Sequence, residues 1–432
     1  MAASYLRRGM EAPATFSLFV RDLPPQRGFL VAAGLEDCLD WLEGLAFDQD
    51  DLAYLERLGF PGGDLDALGA LRFSGELWAV PEGRIVFAGE PILELTAPIA
   101  EAQLAETFLL NRVTFQTALA SKAARCRVAA GGHIDLVEFG FRRTQGVDAG
   151  LAAARSSAIV GFSGTSNVEA ARHFGLEPVG TMAHSYVESF PTEKEAFAAY
   201  ASDFPERAVL LVDTYDTLAG VEHAAQVIVE LGVEGGAGIR IDSGDLAALA
   251  KAARARLDEA GLSRVRIFVS GGLDEFDLAA LVAAGAPVDA AGVGTRLGVS
   301  ADAPYLDSVY KLVSYAGQPV LKLSEGKETL PGAKQVFRAE GLRDVLGLRE
   351  EPAPPGTSAL LEPVMAEGRR VRTSEPHAAI VAARHRFQAD LQALPEEARA
   401  VAGPKALAPS VSPALEALTS QVRGRHRRGE GS

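Results

Sequence analysis

His184 follows Gly180-Thr181-Met182-Ala183 at the end of a short apolar run and precedes Ser185. A histidine in that setting can act as a nucleophile and carry a covalent group. No second histidine or cysteine stands at metal-ligand spacing, so a zinc site is not expected. His133, His173, His223, His377, His385 and His426 lack such a setting and read as structural. A second chemical signal is Gly238-Ile239-Arg240-Ile241-Asp242-Ser243-Gly244. Barrel strands alternate between interior and helix-facing sides, so Ile239 and Ile241 face helices while Arg240 and Asp242 face inward. An unpaired buried arginine is costly. Arg240 therefore meets either an internal acid, Asp242 or Glu138, or a substrate carboxylate or phosphate held bidentately. The second reading is preferred, because the other strands of the series also end in polar signatures.

Those signatures are Glu138-Phe139-Gly140-Phe141-Arg142-Arg143, Gly164-Thr165-Ser166-Asn167, Asp213-Thr214-Tyr215-Asp216, Ser270-Gly271-Gly272 and Gly292-Val293-Gly294-Thr295. Glycines at late strand ends let backbone N–H groups approach an anion, and loops after the late strands of barrels often hold phosphate. Asp213 and Asp216 could hold Mg²⁺, which is commonly bound by one or two carboxylates plus substrate phosphates. Asp216 is also placed to cap the helix expected from Thr217, the preferred reading for it. The Asp213 segment superficially resembles the phosphoribosyl-pyrophosphate loop of purine-salvage phosphoribosyltransferases. Its acids are three apart rather than adjacent, and the match is rejected.

These residues need elements to position them. Candidate strands at 134–138, 177–181, 208–212, 238–242, 265–269 and 288–293 alternate with candidate helices at 146–160, 165–174, 217–231, 244–260 and 273–284. Ser243 is read as the cap of the helix at 244, with Gly261 ending it. This rhythm implies a parallel sheet with crossovers, and its repetition implies a barrel. Before it, 15–20, 77–80, 85–87 and 92–95 read as strands, 35–58 as two short helices, and 98–129 as a long helical stretch broken near Asn111. After it, 320–323, 334–338 and 359–361 read as strands returning to the N-terminal sheet, and 379–391 as a helix. The expected division is 1–130 for the N-terminal part of an α/β sandwich, 131–313 for the barrel and 314–422 for the returning part. The basic end, 423–432, reads as disordered.

The chain has 432 residues with 42 Lys+Arg against 57 Asp+Glu, a net charge of -15. That field argues against a nucleic-acid or anionic-membrane surface, and an anionic substrate would need a local cationic pocket. No stretch approaches 18 apolar residues, so no spanning helix is expected, and the N-terminus does not read as a signal peptide. Cys38 and Cys126 are too few for a disulfide framework. They read as buried thiols in a reducing, cytoplasmic setting.

Taken together, Glu138-Phe139-Gly140-x-Arg142-Arg143, Gly180-Thr181-x-Ala183-His184-Ser185, Asp213-Thr214-Tyr215-Asp216, Arg240-x-Asp242-Ser243-Gly244-Asp245 and Gly292-x-Gly294-Thr295 closely resemble the nicotinate phosphoribosyltransferase family. The likeness runs from Phe16 to Pro24 near the start through Lys322 to Val336 after the barrel. It implies a type II phosphoribosyltransferase fold, an irregular TIM-like α/β barrel with a discontinuous α/β sandwich domain, paired head to tail in a homodimer. The implied reaction joins nicotinate to phosphoribosyl pyrophosphate, with ATP hydrolysis coupled through a phosphohistidine at His184. Matched residue by residue, Thr181 and Arg240 contact nicotinate, Arg240 at its carboxylate. Phe139 stacks on the pyridine ring, and Arg142 lies against phosphate or ring. Gly272, Gly294 and Thr295 hold the ribose 5-phosphate. Asp242 accepts from ribose hydroxyls, and Asp213 organises Mg²⁺ or the phosphohistidine. Related nicotinamide phosphoribosyltransferases carry an aspartate where Ser166 stands. Serine does not repel a carboxylate, so acid is expected over amide.

The family usually opens with a Thr-Asp-Leu-Tyr segment whose tyrosine reaches the neighbouring subunit's pocket. Met1-Ala2-Ala3-Ser4-Tyr5 resembles the text just after it, so Tyr5 is not given that role. Three rival readings follow. One is a regulatory or impaired homologue lacking that segment. Another is quinolinate phosphoribosyltransferase, which needs a second cationic site and no phosphohistidine. A barrel aldolase is disfavoured, since no lysine stands at a candidate strand end to form a Schiff base.

Overall fold

In a computed structural model of the chain, the structure describes residues 1–324 and 328–429. It divides into two compact units, Met1–Ser121 with Tyr305–Ser432, and Lys122–Pro304. The divisions thus fall at 121 and 304, where the sequence pattern places them at 130 and 313. The helix Ile99–Ala129 contains the first division and is continuous over 31 residues. The break expected at Asn111 is absent. Asn111 is exposed, so its amide is solvated and it costs the helix only its modest propensity.

In the first unit a seven-stranded sheet has the order Gln318–Pro319, Ser308–Tyr315, Pro13–Val20, Pro91–Pro98, Glu76–Ala79, Glu362–Ala366, Arg369–Arg370, with antiparallel neighbours. Phe16 stacks on Tyr310 across it, ring centroids 4.7 Å apart. The C-terminal part does return to the N-terminal sheet, but through other strands than those expected. Lys334–Ala339 and Ser358–Ala359 pair with each other in a separate four-stranded sheet with Arg343–Leu348 and Ser410–Val411. Residues 320–323 form no strand. The helix expected at 379–391 is Pro376–Ala393. The final helix, Pro413–Gly429, runs through 423–429, where the sequence reads as disordered. The rest of that reading, 430–432, lies outside the described residues.

The second unit follows the strand–helix rhythm. Its six strands are all parallel, in the order Gly164–Thr165, Asp135–Glu138, Ala290–Val293, Arg266–Val269, Gly238–Ile241, Val209–Leu211. The hydrogen-bonded order is open, as befits an irregular barrel. Residues 177–181 form no regular strand and make one parallel bridge, Thr165 to Pro178. Proline has no N–H to give a ladder. The flanking bonds remain, from the Thr165 N–H to the Glu177 carbonyl at 3.0 Å and from the Val179 N–H to the Thr165 carbonyl at 2.8 Å.

Short acidic or amide caps turn four of these strand ends into the next helix. Asn167 caps Val168–Phe174, Asp216 caps Thr217–Leu231, Asp245 caps Leu246–Glu259 and Asp274 caps Glu275–Ala283. Each side-chain oxygen satisfies a first-turn N–H that has no partner within the helix. The cap of the 246 helix is thus Asp245, not Ser243. Ile239 and Ile241 are fully buried, while Arg240 and Asp242 point into a cavity lined by the strand ends.

Candidate active site

The strand ends enclose a cleft of about 400 Å³. Phe139, Arg142, Ser166, Thr181, His184, Arg240, Asp242, Gly272, Gly294 and Thr295 all line it. Asp213 lies behind that lining. Its Oδ2 accepts the Asp242 N–H at 2.9 Å and the Ser243 hydroxyl at 2.7 Å.

Arg240 is the best-anchored cation of the cleft. Its Nε donates to the Ser270 hydroxyl at 2.8 Å, and Nη1 to the Thr181 hydroxyl at 2.7 Å and the Met182 carbonyl at 3.4 Å. Nη2 donates to Asp242 Oδ1 at 2.6 Å. Guanidinium has five N–H donors, so these four bonds leave one Nη2 N–H of a cleft-lining arginine without a partner among the described residues. The internal acid partner weighed from the sequence is therefore present, and it is Asp242 rather than Glu138. The pair is not sealed, however, because Arg240 and Asp242 keep side-chain exposures of 14% and 26%. Burial pushes the Asp242 carboxyl up, but the hydrogen bonds from Ser270 and Arg240 and the guanidinium charge outweigh it and hold it below the usual carboxylate range. Asp242 thus stays ionised as an acceptor.

Aromatic packing explains two of the glycines. The Phe139 ring lies 5.9 Å from the Arg240 guanidinium and 5.6 Å from the Phe268 ring. A Cβ on Gly292 would come within 2.7 Å of that ring, and one on Gly294 within 2.7 Å of the Phe139 carbonyl. Glycine is needed at both for the aromatic strand end to lie flat against its neighbour. Glu138, fully buried, accepts the Thr165 hydroxyl at 2.6 Å and the Gly140 N–H. Burial raises its pKa and those two hydrogen bonds oppose the rise. Glu138 therefore braces two strand ends rather than facing substrate.

His184 is the first residue of the helix His184–Glu188 and is partly buried. Its Nδ1 lies 3.2 Å from the Thr214 hydroxyl. The Asp213 segment therefore touches both the histidine and the Arg240–Asp242 strand. Asp213 Oδ1 is buried and has no hydrogen-bond partner among the described residues. A single carboxylate oxygen of that kind fits one ligand position of a cation whose other ligands come from substrate and water. Among the described residues no cluster of three or more metal-ligating side chains occurs.

Ser166 is exposed at one wall, and Arg142 is exposed with no ion pair among the described residues. Sequence reasoning singled out every one of these positions but missed two. Ser270, bonded to both Arg240 and Asp242, was read only as part of a glycine turn. Thr214, the partner of His184, stands in the motif Asp213-Thr214-Tyr215-Asp216 with no role of its own in the sequence reading. Ser270 directly follows the strand Arg266–Val269 and Thr214 lies three residues beyond Val209–Leu211, so the signal in both cases was a hydroxyl residue within a strand-end motif.

The nicotinate phosphoribosyltransferase N-terminal domain matches residues 1–114, and the nicotinate phosphoribosyltransferase family matches residues 134–347. The chain belongs to the nicotinate phosphoribosyltransferase family. Within it, the chain is 48% identical to a nicotinate phosphoribosyltransferase of Mycobacterium tuberculosis over 407 residues, 93% of this chain and 87% of that one. It is 36% identical to the human nicotinate phosphoribosyltransferase over 422 residues, 82% of this chain and 78% of that one. The crystal structure of human nicotinic acid phosphoribosyltransferase superposes with a TM-score of 0.85 at 31% identity, covering 98% of both chains. A nicotinate-nucleotide pyrophosphorylase from Pyrococcus furiosus shares the fold, with a TM-score of 0.74 at 24% identity over 90% of this chain and 93% of that one. The chain is thus an enzyme, a phosphoribosyltransferase with the type II fold. No helix among the described residues is long and apolar enough to cross a membrane.

Proposed function

We propose that this family member joins nicotinate to phosphoribosyl pyrophosphate, forming nicotinate mononucleotide and pyrophosphate in NAD salvage. The observation that carries the reading is Arg240. It is held by Thr181, Ser270 and Asp242 beside the Phe139 ring, with one N–H left for an anion, in the cleft that also contains His184 and the glycine turns. Nicotinate places its ring against Phe139 and its carboxylate at Arg240 and Thr181. Arg142 meets phosphate or ring at the rim. Asp242 accepts from the ribose hydroxyls, and Gly272, Gly294 and Thr295 receive the 5-phosphate. Displacement at the anomeric carbon passes through an oxocarbenium-like state. Positioning and fixed charge then do most of the work, with the pyridine nitrogen as nucleophile and pyrophosphate as leaving group.

ATP is the co-substrate in this reading. Its γ-phosphoryl passes to an imidazole nitrogen of His184, ADP leaves, and later hydrolysis of the phosphohistidine releases phosphate. The Thr214 hydroxyl orients the ring for that transfer. Mg²⁺ would be held by Asp213 together with substrate phosphates, and it would neutralise pyrophosphate charge. A head-to-tail homodimer and a cytoplasmic location belong to the same reading. The family resemblance supports the dimer, and two buried free thiols, Cys38 and Cys126, are compatible with a reducing compartment.

The test is a product assay on the purified chain with phosphoribosyl pyrophosphate, Mg²⁺ and ATP, supplied in parallel with nicotinate, nicotinamide or quinolinate. Nicotinate mononucleotide from nicotinate alone, with ADP released, is the expected result. Product from quinolinate with loss of CO₂ would move the assignment to the decarboxylating enzyme. Binding without turnover would point to a regulatory homologue.

A further inference from the structure

The two glycine turns of the cleft are joined behind it by side chains that the reaction has not so far used. Ser270-Gly271-Gly272 leads into Asp274, and Gly292-Val293-Gly294-Thr295 leads into Arg296. Asp274 divides its carboxylate between two tasks. Oδ1 caps the helix Glu275–Ala283, accepting the N–H groups of Phe276 at 2.9 Å and Asp277 at 3.2 Å. Oδ2 accepts from Arg296 Nη1, which also lies 3.4 Å from Asp277 Oδ2. Deeper in the same unit, fully buried Glu275 accepts from Lys122 Nζ on one oxygen and from Arg125 Nε at 2.9 Å on the other. Lys122 lies 3.1 Å from Asp302, downstream of the second turn. The segments after the two turns are therefore tied twice, once at the rim and once in the core.

Gly271 and Gly272 have φ of +107° and +73°. The start of the turn packs on the neighbouring strand, where a Cβ on Gly271 would meet the Asp242 carbonyl at 1.9 Å, but a Cβ on Gly272 would meet nothing within 4 Å, so the far side of the turn depends on what grips the chain beyond it. Arg296 is half exposed, at 50%, against 10% for Asp274, and an ion pair with its cation largely in water contributes little to global stability. Geometry is where such a pair has leverage. A misplacement of about 1 Å can cost up to about a hundredfold in rate.

We propose that Arg296 and Asp274 are positioning residues. Their ion pair fixes the spacing of the Gly271-Gly272 and Gly294-Thr295 turns so that both sets of N–H groups address one phosphate. The inference rests on the reading above that these turns hold the 5-phosphate of the phosphoribosyl donor.

The experiment uses the full chain and two single variants. Asp274→Asn keeps a good helix cap but removes the charge facing Arg296. Arg296→Gln removes the pair from the other side. Each is expected to raise KM for phosphoribosyl pyrophosphate about tenfold while leaving KM for nicotinate and the unfolding midpoint unchanged. The double variant should be no worse than the worse single, since both break one interaction. Arg296→Lys should recover part of the loss. A raised KM in Arg296→Gln with an unchanged or lowered KM in Asp274→Asn would overturn the proposal, because Arg296 would then be a direct phosphate ligand that Asp274 restrains. Unchanged KM in both variants would overturn it too. Calorimetry with phosphoribosyl pyrophosphate and Mg²⁺ separates the two levels. Wild-type protein that does not bind the donor fails the functional reading and the tie with it. Wild-type binding matched by both variants fails the tie alone.

Discussion

Two arginine–aspartate clusters of this chain use the same chemistry for different ends. In the first unit, Arg338 donates to Asp344 and Asp390 and to the Ile85 carbonyl. The three side chains are 7%, 0% and 5% exposed. In the second unit, Arg240 donates to Asp242, Ser270 and Thr181, yet it opens onto a cavity. The closed cluster turns its charges on one another and braces the four-stranded sheet. The open one is held just as firmly but keeps a donor for something outside the chain. Ion pairing by itself does not separate structure from function. The difference is whether a face is left unsealed.

If that contrast is right, breaking the closed cluster should hurt folding and not chemistry. Arg338→Met leaves Asp344 buried without its cation and Asp390 with Arg84 alone, and is expected to cost about 3–5 kcal/mol of stability. Urea unfolding measures the loss, and turnover per folded molecule should stay near wild type. Breaking the open cluster should do the reverse. Arg240→Gln is expected to lower kcat/KM with nicotinate by about a hundredfold, roughly 2.7 kcal/mol, with a much smaller change in the unfolding midpoint. Steady-state kinetics beside thermal denaturation separates the two effects.

A milder change sharpens the role of the open face. Ser166→Asp places a carboxylate on the cleft wall beside the expected position of the substrate carboxylate. KM for nicotinate should rise about tenfold, with a smaller effect on nicotinamide, since a like charge repels only the acid. The smallest expected effect is a pH dependence. The folded pKa of Asp242 lies below its ordinary value of about 3.9. Its stabilising contribution is therefore complete above that value and is lost as pH falls through the depressed one. Unfolding midpoints of wild type and Asp242→Asn should differ at neutral pH and converge in acid. Curves that stay parallel to the lowest pH would contradict the direction of the Asp242 shift.

Much of the second unit is legible in the sequence because its signals are local. Apolar runs such as 265–269 and 288–293 mark strands, and Asp216 marks the start of the helix it caps. The site is legible because its residues sit at strand ends within recognisable motifs. What escapes is pairing over distance. Ser308–Tyr315 joins Pro13–Val20, and nothing local says so. The strand at 334–338 is correctly read and wrongly paired for the same reason, while of 359–361 only Ala359 lies in a strand, Ser358–Ala359. Pro178 interrupts a run that otherwise reads as a strand. Lys122 and Glu275 are 153 residues apart, so only the fold reveals their contact. Ser270 escapes because its part depends on two side chains from the neighbouring strand.

The central claim is that Arg240 recognises a carboxylate, and calorimetric binding of nicotinate and nicotinamide tests it most directly. Wild-type protein and Arg240→Gln would be titrated with each ligand. The account predicts that wild type prefers nicotinate and that the variant binds the two alike, because the charge that tells acid from amide has gone. A variant that keeps the full preference for nicotinate would contradict it and place the carboxylate site elsewhere in the cleft.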